Sequence, residues 1–195
     1  MTGFRLDKGG LIERRQKINF RFNGQQVTGF KGDTIASALM ASGHMLVGRS
    51  FKYHRPRGIM SAGVEEGGAL FNTGDGAARV PNVKGTVTEI SEGLRVYSQN
   101  VFPRPGFDLG AVNGFIAPFI TAGFYYKTFM GPFANTKFWM LCERFIRRAA
   151  GLGQASREAD PSTYDIANGF CDALVIGSGP AGLTAAAAVS YTHLT

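Results

Sequence analysis

The chain has 195 residues, 44% of them hydrophobic and 18% charged, enough apolar material for one or two packed domains. Its 21 basic and 14 acidic residues leave a net charge of +7, which fits an acidic ligand or partner subunit, or an ordinary surface. No dense Lys/Arg run is interleaved with aromatics, which excludes a nucleic-acid module. The only cysteines, Cys142 and Cys171, cannot build a disulfide framework or a four-ligand metal site. Both sit among apolar residues, so buried thiols in a reducing, cytoplasmic compartment are expected. Residues 1–17 are charged and lack an apolar core, so they are not a secretory signal. Residues 115–130 are interrupted by Pro118, Gly123 and Lys127, too often to span a bilayer.

In chain order, residues 1–17 read as a loose arm. Residues 18–22 alternate apolar and polar as a half-buried strand. Asn23-Gly24 is a hairpin turn signal, and residues 27–30 form the return strand. Asp33 is positioned to cap a helix over 34–42, ended by Gly43. Hairpin then helix opens a β-grasp, the fold of plant-type ferredoxins. In that topology the next loop carries cluster cysteines spaced C-x4-C-x2-C. Here residues 48–68 hold none, and neither Ser61 nor Glu65 is a normal substitute, so no iron–sulfur cluster and no metal are expected. The loop instead carries Arg49, Lys52, His54, Arg55 and Arg57. It either contacts a phosphate or a partner subunit, or is a solvated surface loop.

Short strands are expected at 69–73 and 77–80, then at 83–90 and 94–98, closing the β-grasp domain (18–100). Residues 101–168 read as an irregular aromatic connector ending in a helix. Phe102, Phe107, Phe115, Phe119, Phe124, Tyr125, Tyr126, Phe129 and Phe133 crowd together there, either packing the flanking domains or forming a subunit interface. The helix spans 136–150, with Phe138, Leu141, Cys142, Phe145 and Ile146 as its apolar stripe.

Residues 169–195 open an α/β Rossmann-type dinucleotide-binding fold. Residues 174–176 are a short β-branched run suited to a buried parallel strand. Gly177, Ser178, Gly179, Pro180, Ala181 and Gly182 follow as G-x-G-x-x-G, leading into an alanine-rich helix. Gly177 permits the tight turn, Gly179 the approach of a pyrophosphate, and Gly182 close packing of helix on strand. The free N–H groups and dipole of the helix start hold the phosphate charge. An acidic ribose ligand belongs about 20 residues further on, but only thirteen residues follow Gly182 and none is acidic. A chain cut inside its nucleotide domain is expected, with 190–195 as appended sequence and negligible dinucleotide binding by the isolated piece.

The segments FKYHRPRGIMSAGVEE (51–66), PNV (81–83), SQN (98–100), GAVN (110–113), AGFYYKTFM (122–130), IRRAAGLG (146–153) and VIGSGPAGL (175–183) resemble the alpha subunits of heterotetrameric sarcosine oxidases. The opine oxidase and hydrogen cyanide synthase alpha subunits are related, but those carry loop cysteines. The resemblance implies oxidation of sarcosine by oxygen to glycine, hydrogen peroxide and a one-carbon unit. It implies beta, gamma and delta partner subunits, amine oxidation at the beta subunit's flavin, and NAD (or FAD) bound through Gly177, Gly179, Pro180, Ala181 and Gly182. It also implies tetrahydrofolate in a C-terminal region without counterpart here, and no catalytic residue in this chain. The rival readings are another amine or opine oxidoreductase, or a non-catalytic assembly module.

Overall fold

The computed structural model describes residues 4–115, 117–119, 137–149 and 151–191. They fall into two compact units, residues 1–161 and 162–195.

In the first unit, β1 (Glu13–Phe22) and β2 (Gln25–Lys31) form an antiparallel hairpin with Phe20 opposite Val27. Asn23 and Gly24 both have positive φ, 48° and 83°, as a two-residue turn matched to strand twist demands. The strand begins at Glu13, so the expected arm is already part of the sheet, with a register irregularity between Glu13 and Lys17. The preceding residues are tied down too: the Phe4 amide donates to the Ala41 carbonyl, and Arg5 pairs with Asp33.

Helix α1 (Ile35–Ala41) starts at Thr34, not at the expected Asp33. Thr34 Oγ1 accepts from the Ser37 amide, and Ser37 Oγ accepts from the Thr34 amide, a reciprocal capping box. Asp33 stands just outside and supports that cap by accepting from Ser37 Oγ.

Next in order come β3 (Gly48–Arg49) and β4 (Pro56–Arg57), a separate two-stranded ribbon, then β5 (Leu70–Thr73), β6 (Val80–Lys84) and β7 (Arg95–Ser98). The main sheet runs β2-β1-β7-β5-β6, with β1 and β7 parallel and the other pairs antiparallel. Pro81 is tolerated because β6 lies at the sheet edge. Residues 76–78 form a 3-10 turn where a strand was expected. The strand expected over 83–90 stops at Lys84 for a local reason. The Gly85 and Thr88 carbonyls accept from the Ala36 and Ile35 amides, so this backbone closes the start of α1 instead of a ladder.

Phe20, Phe22, Val27, Ile35, Leu39, Val47, Phe71, Ile90 and Val96 form the core between α1 and the sheet. Phe22 and Phe71 meet edge to face at 5.9 Å. Each fully buried side chain of this size contributes about 1.5–3 kcal/mol.

Beyond the sheet, β8 (Pro103–Arg104) and β9 (Phe107–Asp108) make a small hairpin that runs into a 3-10 helix, Leu109–Gly114. Phe102, Phe107, Phe115 and Phe119 are all exposed within this chain. The other aromatics expected to crowd here lie outside the described residues. Helix α2 (Lys137–Ala149) forms as expected and buries Cys142, but Leu141 is exposed. The rest of its expected stripe, Phe138, Phe145 and Ile146, has side chains outside the described residues.

In the second unit, α3 (Pro180–Tyr191) forms, beginning at Pro180. The expected parallel strand at 174–176 does not: no described strand pairs with it, and Leu174 and Ile176 are exposed. A parallel strand owes its existence to neighbours that take its backbone hydrogen bonds and cover both faces, and these residues have neither. Cys171, expected to be buried, is exposed for the same reason.

Candidate functional site

The glycine turn expected to bind a phosphate is present as a turn and a helix start. Gly177 has φ +111°, a region closed to side chains with a Cβ. A Cβ on Gly182 would stand 2.1 Å from the Gly177 carbonyl oxygen, so the turn closes only with glycine there. Pro180 occupies the first helical position, where its missing N–H costs nothing. The Leu183 amide donates to the Gly179 carbonyl, and Thr184 Oγ1 donates to the Pro180 carbonyl. Ser178 and Ala181 complete the loop. The first-turn amides have no intrahelical acceptor, and the first turn carries no acid to compete for them. This arrangement can hold an anionic phosphate. The strand side of the expected fingerprint is absent among the described residues.

The first unit holds a second constellation, which the sequence did not reveal. A cavity of about 810 Å³ is lined by His54, Asn72, Asp75, Arg79, Tyr97 and Gln99 among others. Asp108, its side chain fully buried, lies 2.6 Å from His54 Nδ1 through Oδ2. Its Oδ1 accepts from the Phe102 and Gly110 amides. The imidazole is therefore held by a fixed carboxylate. The backbone of His54 is itself left-handed, at φ 51°. On the facing wall Asp75 accepts from Tyr97 Oη and pairs with Arg95. These contacts hold the Asp75 carboxyl below its ordinary range, and the same hydrogen bond, with burial, pushes the Tyr97 phenol up.

Gln99 joins the two walls, its carboxamide 2.9 Å from that of Asn72 and 3.0 Å from that of Asn82. Asn82 Oδ1 also accepts from the Gly153 amide. PNV, SQN and GLG, far apart in the chain, thus meet at one point. No local pattern signals this, because carboxamides in loops read as turn residues until tertiary contacts assemble them.

Several side chains of the basic loop make specific contacts. Arg49 donates to the Pro105 and His54 carbonyls, and Lys52 and Arg55 each lie 4.9 Å from the Tyr53 ring centroid. Glu66 is buried and accepts from the Met60, Ser61 and Gly68 amides. Burial alone would raise its pKa, but these three donors outweigh it and hold the carboxyl below the usual range.

Comparison with known proteins decides the lineage. Over 95% of its length the chain is 54% identical to "Sarcosine oxidase subunit alpha" of Rhizobium meliloti (strain 1021). Proteins of the same name from Corynebacterium sp. strains U-96 and P-1 are 32% and 31% identical over 91% and 95% of the chain. The chain is a homologue of sarcosine oxidase subunit alpha. It spans 19%, 14% and 15% of the lengths of those three relatives. Among solved structures, L-proline dehydrogenase from P. horikoshii is similar at 16% identity over 48% of this chain and 17% of its own, with a TM-score of 0.36. That likeness is too slight to carry an argument.

Residues 15–101 match the family described as "2Fe-2S iron-sulfur cluster binding domain", so this part is a ferredoxin-like domain of the 2Fe–2S type. The match corrects the expectation of no iron–sulfur cluster. That expectation rested on the absence of cysteines from one loop. Residues 15–101 contain no cysteine, and among the described residues no three His, Cys, Asp or Glu side chains converge as a metal site. The donors within the matched segment do not fit the thiolate set that such a cluster takes. Among the described residues, no helix is long and apolar enough to cross a membrane.

Proposed function

We propose that this chain belongs to the alpha subunit of a multi-subunit amine oxidoreductase, in which sarcosine is oxidised by oxygen to glycine, hydrogen peroxide and a one-carbon unit. The 54% identity over 95% of the chain to a protein named sarcosine oxidase subunit alpha carries the reading. In this proposal residues 1–17 lead into a ferredoxin-like domain at 18–100. Residues 101–168 connect it to a dinucleotide-binding unit that starts at 169. Gly177, Ser178, Gly179, Pro180, Ala181 and Gly182 cradle the dinucleotide's pyrophosphate, because a glycine turn opening a helix presents free amides to an anion. The exposed phenylalanines at 102, 107, 115 and 119 contribute to docking of the other subunits in the cytoplasm. No residue of the chain is assigned a catalytic role.

The test is substrate-dependent peroxide formation by the complex purified from its own locus. Sarcosine is expected to support peroxide release at least tenfold faster than opines or proline. An opine turned over faster than sarcosine would replace this reading with the opine oxidoreductase one.

A further inference from the structure

We propose that a second cavity of the first unit, walled by Arg49, Lys52, Arg55 and Arg57, binds a phosphate-bearing small molecule. This site is separate from the glycine turn and does not depend on it.

The sequence from 48 to 64 contains five basic or histidine residues and no acid. Strands β3 and β4 fold it back on itself, with Gly48 opposite Arg57 and Arg49 opposite Pro56. The intervening loop is pinned: Ser50 Oγ accepts from the Arg55 amide, and Asn100 Nδ2 donates to the Ser50 carbonyl at 2.7 Å. The loop gathers its charges around a cavity of about 550 Å³ that Gly67 and Gly68 also line. That volume lies within the roughly 300–1,000 Å³ typical of small-molecule sites.

Among the described residues no Asp or Glu lines the cavity, and Arg49, Arg55 and Arg57 form no ion pair with a carboxylate. Glu66, close in sequence, already spends its carboxylate on three backbone amides. Arg49 is fixed by bonds to neutral carbonyls, which orient its guanidinium and leave its charge in place. Like charges lining one cavity repel, and an anion seated between them relieves the repulsion. Three guanidinium groups favour phosphate, whose oxygens match their paired donors, over a single point-charge contact.

The experiment is calorimetric titration of inorganic phosphate into the chain at low ionic strength. Saturable binding at one site is expected in the native chain and in G182V, at least tenfold weaker in R55Q/R57Q, and only partly restored in R55K/R57K, which returns the charge without the paired donors. Arg55 and Arg57 are exposed, so the fold is expected to survive; should the double variant not fold, the same titration of R57Q decides. Several outcomes overturn the proposal: no saturable binding, binding unchanged in R55Q/R57Q, or binding lost in G182V alone, which would place the phosphate at the glycine turn. A polyglutamate peptide that binds where phosphate does not would identify an acidic partner segment instead. Because G182V reports on the turn and R55Q/R57Q on the cavity, the two sites fail independently.

Discussion

Asp33 shows how a buried charge is made tolerable. It is 1% exposed, and burial pushes its pKa up. The Arg5 guanidinium, the Phe30 amide and Ser37 Oγ donate to its two oxygens and reverse the sign, holding the carboxyl below its ordinary range. Asp33→Asn keeps the shape but loses the charge, and is expected to cost about 1–3 kcal/mol. Urea unfolding would show this as a lower midpoint with an unchanged slope. Glu66 is depressed in the same sense, so both carboxylates stabilise the fold above their unfolded pKa values and lose that contribution as pH falls through the folded ones. His44 adds to the trend. Burial lowers its pKa, so the fold resists protonating it, and stability begins to fall once pH drops below the unfolded value of about 6.5. Thermal unfolding from pH 8 to pH 3 should therefore show a monotonic decline in two stages, first from His44 and then from the acids. A maximum near pH 4 would contradict these assignments. Sequence placed Asp33 at the helix start and missed its true role, because the partner Arg5 lies in a segment that reads as a loose arm.

At the scale of elements, local chemistry was legible wherever it was self-sufficient. Asn23-Gly24 makes its turn, Gly43 follows α1, and Pro180 starts α3. The Thr34–Ser37 capping box is equally local, and Thr34→Ala is expected to cost about 1 kcal/mol by the same urea measurement. Elements that depend on partners were harder to read. Residues 85–90 alternate like a strand, but the Gly85 and Thr88 carbonyls are taken by amides of α1. Residues 174–176 have the composition of a parallel strand and, among the described residues, no ladder to join. His54 and Asp108 are legible only in three dimensions, since nothing in the sequence links positions so far apart. His54→Ala would strand the buried Asp108 Oδ2, with an expected loss of about 1–3 kcal/mol.

At the scale of the whole molecule, the sheet order β2-β1-β7-β5-β6 places a ferredoxin-like scaffold under two polar cavities. Its overall type could be read from the hairpin–helix opening, because that order of elements is carried by periodicity and turn residues alone. The match to a cluster-binding family shows the limit of reading cofactors from the ligands of one loop. The lineage was legible in segments such as FKYHRPRG and IRRAAGLG, and three of the segments that carry it, residues 81–83, 98–100 and 151–153, meet around Gln99 in the fold. Our central proposal is that the turn from Gly177 to Gly182 serves a dinucleotide. The direct measurement is the dinucleotide content of the full-length product of the locus, purified with its partners, as the native protein and as G182V. With NAD and FAD as probes, the native protein should bind one of them saturably through this turn, and G182V should bind it at least tenfold more weakly. Equal binding by both proteins would contradict the claim.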